Sequence, residues 1–428
     1  MIISSIDLKD GKVVQLRQGK DLVLERDNPD ELIAEFNRYG EVAIIDLDAA
    51  LRNTASDGST ANSAILKRLL RRGNVRVGGG IRSAKTAREL VSLGAEKVIV
   101  GSAAFTLPDG SAGVNTGFLS QFAEAVGKEH VIVSVDAREG NIAVKGWTES
   151  AGIDVIEGAK AVEPYCSELL FTCVEREGTM TGIDLELVKK LRAAVRCRLV
   201  VAGGVSTLEE VVALEKLGCD VQLGMALYTG AVSPADGFVE CLDWNKQEMM
   251  PVIAQSVTGE VLMMGYANRE ALKTTFARGL LTFWSRSRNE LWTKGDTSGN
   301  TLEVIKLRMD CDRDTILATV RPAGPACHTG AWSCFSTVAD RPYSLDYLSS
   351  VIADRFANPK PGSYTATLNG ERVREKVMEE AEELTEAEDR DEVIWETADL
   401  LYFVNVLMNR EGVSWKDVLD ELDRRHKK

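Results

Sequence analysis

The sequence predicts a multidomain protein that begins with a (β/α)₈ barrel and ends in an all-α region. Three observations support this fold class. Residues 1 to about 230 alternate short apolar runs with helix-period stretches, as repeated βα units do. Aspartates and cysteines are dense between 310 and 334, and apolar stripes with a period of 3.6 follow residue 344. At 428 residues, the chain is long enough for two or three domains.

Eight apolar runs, most of them rich in β-branched residues, predict the strands of the barrel. Several of these runs end in glycine, and eight parallel strands in this length fit a barrel whose active site lies at the carboxyl ends of its strands. The predicted strands are residues 1–7, 42–46, 75–80, 97–102, 131–136, 168–173, 198–204 and 220–224.

The barrel sequence also repeats itself. IDLKDG at 6–11 aligns with VDAREG at 135–140, and VGGGI at 77–81 aligns with VAGGV at 201–205. Each half therefore offers one aspartate at a strand end, Asp7 or Asp136, and one pair of glycine turns. Two such carboxylates can share acid and base roles if their environments separate their pKa values.

The glycine turns predict phosphate binding. Glycine at a βα turn lets backbone N–H groups close on a phosphate at a helix N-terminus, and two such sites predict a substrate with a phosphate at each end. Turns that serve only tight packing are the alternative. The expected phosphate-binding residues are Gly80, Arg82, Gly101, Ser102, Gly203, Gly204 and Gly224.

The segment 310–334 predicts metal binding. Three aspartates alternate with a cysteine and an arginine, so that on an extended strand the carboxylates share one face. Carboxylate oxygens favour Mg²⁺, whereas three thiolates favour Zn²⁺ with a fourth position open for hydrolytic chemistry. An acidic strand end followed by buried structural cysteines is the alternative. The candidate ligands are Asp310, Asp312 and Asp314 for magnesium, and Cys311, Cys327 and Cys334 for zinc.

A second acidic cluster lies in the predicted helices of the tail, residues 372–387, 393–409 and 414–425. Carboxylates on adjoining helical positions repel one another unless a divalent cation lies between them. Two of these acids interrupt an otherwise apolar helix, where charges would be costly without a ligand. A solvated acidic face is the alternative. The candidate magnesium ligands are Glu379, Glu380, Glu383, Glu396 and Asp399.

Composition excludes several other classes of protein. A hydrophobic fraction of 44% with 27% charged residues is typical of a soluble globular protein. The absence of a long apolar run and of a signal peptide predicts a cytoplasmic protein without a membrane span. The eight cysteines are then expected to be free thiols and metal ligands. The net charge of −14 argues against nucleic acid as a partner.

Residues 242–338 resemble phosphoribosyl-AMP cyclohydrolase, a small α+β zinc enzyme of histidine biosynthesis. The motifs that carry the resemblance are SRSR, LWTKG, TSG, DCDRD, ACHTG and SCF. The resemblance implies catalysis by His328 and substrate binding by Arg286, Arg288 and Lys294. It also implies a homodimer with shared sites, in which Cys311 of one chain meets the other two cysteines of its partner. Spacing alone leaves open whether the segment folds back or reaches over.

Residues 1–232 resemble the isomerase that converts the aminoaldose phosphoribosylformimino-aminoimidazole-carboxamide ribotide to its ketose, also in histidine biosynthesis. The motifs are IDLKDGKVVQL, GGGIR, VDAREG with KGW, FTCVEREGT, AGGVST and GMALYTG. The resemblance implies a TIM barrel in which Asp7 and Asp136 are the acid/base pair and Thr172 orients the substrate. Glu177 and Gln222 depart from the family pattern and leave isomerisation of phosphoribosylanthranilate open.

Residues 344–428 resemble phosphoribosyl-ATP pyrophosphohydrolase, a small all-α enzyme related to MazG-type nucleotide pyrophosphatases. GSYT at 362–365, EExxE at 379–383 and ExxD at 396–399 carry the resemblance. The three implied activities are consecutive in one pathway, which predicts a trifunctional enzyme acting on phosphoribosyl nucleotides. The alternative is a bifunctional hydrolase whose barrel is a sensing or assembly module.

Overall fold

The computed structural model describes residues 1–51, 59–336 and 343–426. The chain forms two compact units, Met1–Gly324 and Pro325–Lys428. The barrel and most of the segment after it therefore belong to one unit. The second domain boundary that the sequence predicts, near 339–344, lies largely outside the described residues, and the three-domain division remains a prediction.

The first unit contains the predicted barrel, and all eight predicted strands are confirmed. Ile2–Lys9 pairs in parallel with both Glu41–Asp46 and Asp220–Leu223, and pairing of Val131–Arg138 with Glu168–Cys173 completes the ring. The other strands are Val75–Gly78, Lys97–Val100 and Arg198–Ala202. The longer helices outside the ring are Pro29–Phe36, Ser63–Leu69, Ala84–Ser92, Thr116–Val126, Val155–Val162, Leu185–Ala194 and Leu208–Lys216.

Two β-hairpins that the sequence did not predict extend the barrel at the carboxyl ends of equivalent strands. Lys12–Arg17 with Asp21–Arg26 follows the first strand, and Asn141–Val144 with Glu149–Asp154 follows the fifth. Two residues separate each hairpin from its barrel strand, and the first strand of the hairpin pairs back onto that strand. The internal repeat thus includes the walls of the barrel mouth as well as its strands.

A buried ion network lies at the opposite, amino-terminal end of the barrel. The guanidinium of Arg76 contacts the carboxylates of Glu41 and Glu168, and Arg198 lies 2.8 Å from Glu41 and 3.1 Å from Glu168. Burial alone would raise the pKa of Glu41, but the two arginines lower it to about 2. Loss of one partner would leave a buried charge uncompensated, so a substitution that removes one of these side chains would strongly destabilise the barrel.

The rest of the first unit is the predicted small α+β region. Its sheet has the order Val261–Ala267, Met250–Ser256, Ile316–Pro322, Leu302–Met309. The hairpin Thr282–Ser285 with Glu290–Thr293 and the helix Arg269–Arg278 pack beside this sheet.

The connection between the barrel and this region is not an irregular linker. The sequence predicts a boundary with little periodicity at 231–243, but Pro234–Glu240 is a helix that buries Phe238. The ring of Phe276 lies 5.4 Å from that of Phe238 and 4.9 Å from that of Tyr39. Burial of these aromatic rings overrides the helix-breaking composition of so short a segment.

The second unit is helical, as predicted. Val373, Phe403 and Val406 form its core together with Leu348 and Ile352. Among the described residues, no helix is both long enough and apolar enough to span a bilayer. The helices are Leu345–Ala357, Tyr364–Thr367, Gly370–Glu386, Arg390–Glu411 and Trp415–His426.

Candidate active sites

A cavity of ≈ 270 Å³ opens at the carboxyl ends of the barrel strands. Every barrel residue that the sequence predicts to be catalytic or phosphate-binding lines it. These are Asp7, Asp136, Thr172, Gly80, Arg82, Gly101, Ser102, Gly203, Gly204 and Gly224.

The two aspartates occupy equivalent surroundings. The hydroxyl of Ser5 donates to Asp7 at 2.8 Å, and that of Ser134 donates to Asp136 at 2.6 Å. Burial raises the pKa of Asp7 to about 6. Burial also raises the pKa of Asp136, against hydrogen bonds from Ser134, Trp147 and Thr172. Two desolvated carboxyl groups in one cavity suit acid–base chemistry on a bound substrate.

Trp147 is a site residue that the sequence did not predict. Its indole Nε1 donates to Asp136 Oδ2 at 2.8 Å, from the loop between the second pair of hairpin strands. Its backbone φ is +68°, and Gly19 of the other hairpin lies against its ring. The KGW motif contains Trp147. The motif alone does not predict where the indole lies, because that depends on the hairpin whose loop carries it.

Glu177 is a third carboxyl group in the cavity, noted in the sequence only as a departure from the family pattern. Burial, and then the nearby Asp7 and Asp136, raise the pKa of Glu177 to about 8. Its side chain is therefore mostly protonated at neutral pH, and it can donate a hydrogen bond where an ionised carboxylate could only accept one.

The glycine turns need glycine for two reasons. Gly80 and Gly204 have φ values of +65° and +93°. A Cβ on Gly80 would lie 2.4 Å from the carbonyl oxygen of Ala49, and one on Gly204 would lie 2.5 Å from that of Gly182. Gly101 and Gly224 directly precede short helices that begin at Ser102 and Met225. Packing thus accounts for the paired glycines, while phosphate binding at the turns remains a prediction.

The acidic cluster after Met309 is a turn, which corrects the expectation of an extended strand. The strand Leu302–Met309 ends before Asp310, and Arg313 has a φ of +61°. Asp310 Oδ1 accepts hydrogen bonds from the backbone of Asp314 at 3.0 Å and of Thr315 at 3.1 Å. The turn, rather than strand alternation, therefore gathers the carboxylates. One oxygen each from Asp310, Asp312 and Asp314 lies within 4.8 Å of the others.

The ammonium group of Lys246 already neutralises part of the negative charge of this turn. No sequence motif indicated that Lys246 belongs to the site. Its Nζ lies 2.6 Å from Asp312 Oδ2 and 3.0 Å from Asp314 Oδ2. Three clustered carboxylate oxygens fit a hard divalent cation. Such a cation would compete with this ammonium group.

The three cysteines belong to different units: Cys311 lies in the first, and Cys327 and Cys334 in the second. A hydrogen bond from Thr329 Oγ1 at 3.1 Å, with a further contribution from Cys334, lowers the pKa of the Cys327 thiol. His328 Nδ1 lies 3.9 Å from Cys327 Sγ. Two adjacent thiols, one of them readily ionised, fit a zinc ligand pair.

The predicted substrate-binding cations occupy the hairpin of the α+β region or the residue that follows it. The guanidinium of Arg286 lies 3.9 Å from the ring centroid of Tyr266. Arg288 Nε lies 3.2 Å from both Ser285 Oγ and Glu290 Oε1.

Lys294, just after the hairpin, is buried and donates to the Asn300 carbonyl oxygen at 3.0 Å. Its contacts give it a structural partner, and substrate binding by all three cations remains a prediction.

The tail brings three of its five predicted magnesium ligands together. Oxygens of Glu380, Glu383 and Glu396 lie within 4.8 Å of one another. Partial burial, then the charges of Glu383 and Glu380, raise the pKa of Glu396, with a smaller contribution from Asp399. Glu379 instead forms an ion pair with Lys376 at 2.8 Å. The cluster fits a divalent cation that would relieve the repulsion among its carboxylates.

Comparison with known families agrees with this arrangement. Residues 1–233, more than half of the chain, match the family model described as histidine biosynthesis protein. The chain belongs to this family. Residues 263–336 match phosphoribosyl-AMP cyclohydrolase, and residues 345–426 match phosphoribosyl-ATP pyrophosphohydrolase. This member of the histidine biosynthesis family is a trifunctional enzyme, with an isomerase barrel and two hydrolase domains, and both hydrolase families depend on metals.

Curated relatives cover the cyclohydrolase and pyrophosphohydrolase part of this histidine-biosynthesis enzyme. The histidine biosynthesis bifunctional protein HisIE of Pasteurella multocida is 44% identical over 199 residues, which are 44% of this chain and 99% of the relative. The protein of the same name from Photobacterium profundum is 41% identical over 204 residues, which are 44% of this chain and 99% of the relative. The one from Escherichia coli K12 is 44% identical over 193 residues, which are 43% of this chain and 95% of the relative.

Proposed function

We propose that the three domains catalyse consecutive steps on one nucleotide, in the reverse of their order along the chain. The tail removes pyrophosphate from phosphoribosyl-ATP, the α+β region opens the adenine ring of phosphoribosyl-AMP, and the barrel isomerises the resulting aminoaldose to the aminoketose. The observation that carries the proposal is the pair of desolvated aspartates in the barrel cavity, joined in one chain to domains of the two hydrolase families.

In the barrel, isomerisation requires one group to donate a proton to the ribose ring oxygen as its bond to C1 breaks. Another group removes a proton from C2, and the resulting enaminol becomes the ketose when C1 takes up a proton and the C2 hydroxyl loses one. Asp7, with a pKa of about 6, is mostly ionised at neutral pH and can accept a proton. Asp136, held by Ser134 and Trp147, faces the same cavity and completes the acid/base pair. Thr172, paired with Asp136 across neighbouring strands, orients the substrate. The glycine turns of the two halves hold its two phosphates.

In the α+β region, we assign Cys311, Cys327 and Cys334 to zinc and the three aspartates of the turn to magnesium. Zinc supplies activation of the attacking water when it is bound. We assign proton exchange with the reacting groups to His328, whose Nδ1 lies 3.9 Å from Cys327 Sγ. Arg286 and Arg288 bind phosphate oxygens of the substrate.

In the tail, Glu380, Glu383 and Glu396 would hold magnesium, with Glu379 and Asp399 at the edge of the cluster. Magnesium held by these acids would supply neutralisation of phosphate charge beside the α–β linkage that water attacks. Glu380, on the helix Gly370–Glu386, is the buried member of this group of acids.

The test is to supply phosphoribosyl-ATP to the purified chain with Mg²⁺ and Zn²⁺ and to follow all products by chromatography. The expected products are pyrophosphate, then phosphoribosyl-AMP, then the aminoaldose and finally the aminoketose. Accumulation of the aminoaldose without ketose would identify the barrel as a sensing or assembly module. A separate assay with phosphoribosylanthranilate as the substrate measures whether the barrel also isomerises that compound.

A further inference from the structure

The acidic turn of the cyclohydrolase region lies against the amino-terminal end of the barrel. A cleft of ≈ 320 Å³ separates the two. On the barrel side it is formed by the end of the helix Leu208–Lys216 and the segment that follows. On the other side it is formed by Met309 and by the turn residues Asp310, Cys311 and Arg313.

One ion pair crosses from the barrel to the turn. Arg313 Nη1 lies 3.4 Å from Glu215 Oε1, and the side chains are 30% and 12% exposed. The pair is therefore less screened by solvent than an ordinary surface pair. The backbone of Arg313 is also held, because its carbonyl oxygen accepts the N–H of Asp243 at 2.8 Å.

The contacts that Arg313 makes with Glu215 and Asp243 bear on metal binding, because Arg313 lies among the carboxylates of the turn. It lies between Asp312 and Asp314, and its left-handed backbone, with φ of +61°, costs a non-glycine residue about 1 kcal/mol. Contacts that hold Arg313 in this conformation also hold the two flanking carboxylates close to Asp310.

We propose that Glu215 of the barrel is a positioning residue for the metal site of the cyclohydrolase. By binding Arg313, it fixes the turn in which the carboxylates of Asp310, Asp312 and Asp314 converge. The inference rests on the proposed function, since that function assigns a divalent cation to the turn. Beyond that function, the inference is that the barrel, in addition to catalysing isomerisation, sets the affinity of the acidic turn for its cation.

Positioning and simple electrostatics predict opposite results for Arg313. Its positive charge lies beside three carboxylates, so charge alone predicts that Arg313→Gln tightens the binding of a divalent cation. If the ion pair with Glu215 holds the turn, the same substitution weakens binding. Glu215 also binds the amino group of Met1, and Arg313→Gln leaves that contact in place.

The experiment measures Mn²⁺ binding to the full-length chain by electron paramagnetic resonance. Every protein carries Glu383→Gln and Glu396→Gln, which remove the cluster of the tail. We expect Glu215→Gln and Arg313→Gln each to weaken Mn²⁺ binding by about tenfold, as loss of groups that orient metal ligands does. The matched control is Arg321→Gln, which breaks an exposed pair with Glu303 of 2.7 Å on the neighbouring strands and should leave affinity unchanged.

A further arm, Asp312→Asn, separates this inference from the function on which it rests. If Asp312→Asn leaves Mn²⁺ affinity unchanged, the turn is not a metal site and the proposed function of the turn fails as well. If Asp312→Asn removes binding while Glu215→Gln stays within twofold of the parent, only the positioning role is wrong. Tighter binding by Arg313→Gln also overturns it. Parental isomerase rates show that each variant is folded, because Glu215 is remote from the barrel cavity.

Discussion

At the scale of single residues, the barrel site depends on how burial sets the protonation of its carboxyl groups. Asp7, Asp136 and Glu177 all line one cavity, and burial raises the pKa of each. The pKa of Asp7 rises to about 6 and that of Glu177 to about 8, because Glu177 also has two carboxylates nearby, whereas hydrogen bonds from three side chains oppose the rise of the pKa of Asp136. A site with separated pKa values can hold an acid and a base at the same pH.

Asp7→Asn and Asp136→Asn should each reduce isomerisation by at least about 100-fold, since each removes one partner of the acid/base pair. Both hydrolytic steps should continue at the parental rate. The measurement is ketose formation from purified aminoaldose, beside pyrophosphate release by the same preparation. Full isomerase activity in both variants would contradict the assignment.

Glu177→Gln should stabilise the barrel at alkaline pH. Unfolded Glu177 loses its proton near pH 4.5, whereas in the folded barrel it does so near pH 8. Between these values the folded state binds more protons, so the free energy of unfolding contributed by this group decreases as pH rises. Glutamine has no such dependence.

Calorimetry of the barrel transition should therefore show Glu177→Gln melting above the parent at pH 8.5 by several degrees, with a much smaller difference at pH 5.5. Glu124→Gln, on the exposed face of the helix Thr116–Val126, is the matched control and should shift neither value. An equal difference at both pH values would show that Glu177 is not the group responsible.

Sequence reasoning predicted Asp7 and Asp136 from an internal repeat and a family resemblance, and Thr172 from the resemblance alone, and all three line the cavity. It did not identify Trp147 or Lys246 as site residues. Each acts through a contact between segments distant in the fold: Trp147 through a hairpin wall, and Lys246 through a connection that returns to the acidic turn. Such contacts depend on tertiary structure and leave no periodicity in the sequence.

At the scale of elements, the barrel strands and the tail helices were predicted from the sequence, whereas the two hairpins and the acidic turn were not. Eight strands and the longer helices of the tail follow from periodicity. The hairpins were not predicted, because each lies only two residues beyond a barrel strand and its strands are not part of the repeated βα pattern. Aspartates alternate with other residues over 310–314, as they would on one face of a strand. The segment is a turn instead, because backbone N–H groups donate hydrogen bonds to the Asp310 carboxylate and Arg313 has a left-handed backbone.

The paired tail helices Gly370–Glu386 and Arg390–Glu411 make a prediction that belongs to this scale. Glu380→Gln should reduce pyrophosphate release from phosphoribosyl-ATP by at least about 100-fold, because a buried ligand of the cluster is lost. Ring opening of supplied phosphoribosyl-AMP should be unchanged. The matched control is Glu382→Gln, an exposed position on the same helix.

Pyrophosphate release is measured with a coupled phosphate assay across a range of Mg²⁺ concentrations. If Glu380→Gln releases pyrophosphate at the parental rate, the acidic cluster is a solvated surface. A rate restored by high Mg²⁺ would support a weakened metal site.

At the scale of the whole molecule, the zinc site should be completed between two chains. The resemblance of residues 242–338 to the cyclohydrolase family implies this, because it implies a homodimer in which Cys311 of one chain meets Cys327 and Cys334 of its partner. Chains with Cys311→Ala and chains with Cys334→Ala should each be inactive in ring opening. Mixing them under conditions of subunit exchange should restore about a quarter of the parental activity, since half of the dimers are mixed and each contains one intact site.

Zinc content and mass-labelled chains provide the controls for this complementation. Exchange must be demonstrated by mass spectrometry of the mixed dimer. If exchange occurs without any return of activity, the three thiolates come from one chain. The rate of isomerisation by the barrel, measured in the same mixture, should stay constant while the subunits exchange.

The outer strand of the cyclohydrolase sheet has a consequence for dissecting this protein. Leu302–Met309 is an edge strand, and near its end the N–H of Leu307 donates to the Arg38 carbonyl oxygen of the barrel at 3.0 Å. Burial lowers the pKa of Lys306 on the same strand, while Glu41 and Glu96 of the barrel oppose the shift. The first part of this edge is paired with residues 279–281, but a fragment cut away from the barrel would leave the backbone near Leu307 without its partner, and an exposed edge of this kind recruits further strands. Isolated cyclohydrolase fragments of this chain should therefore self-associate at concentrations at which the intact protein stays dispersed.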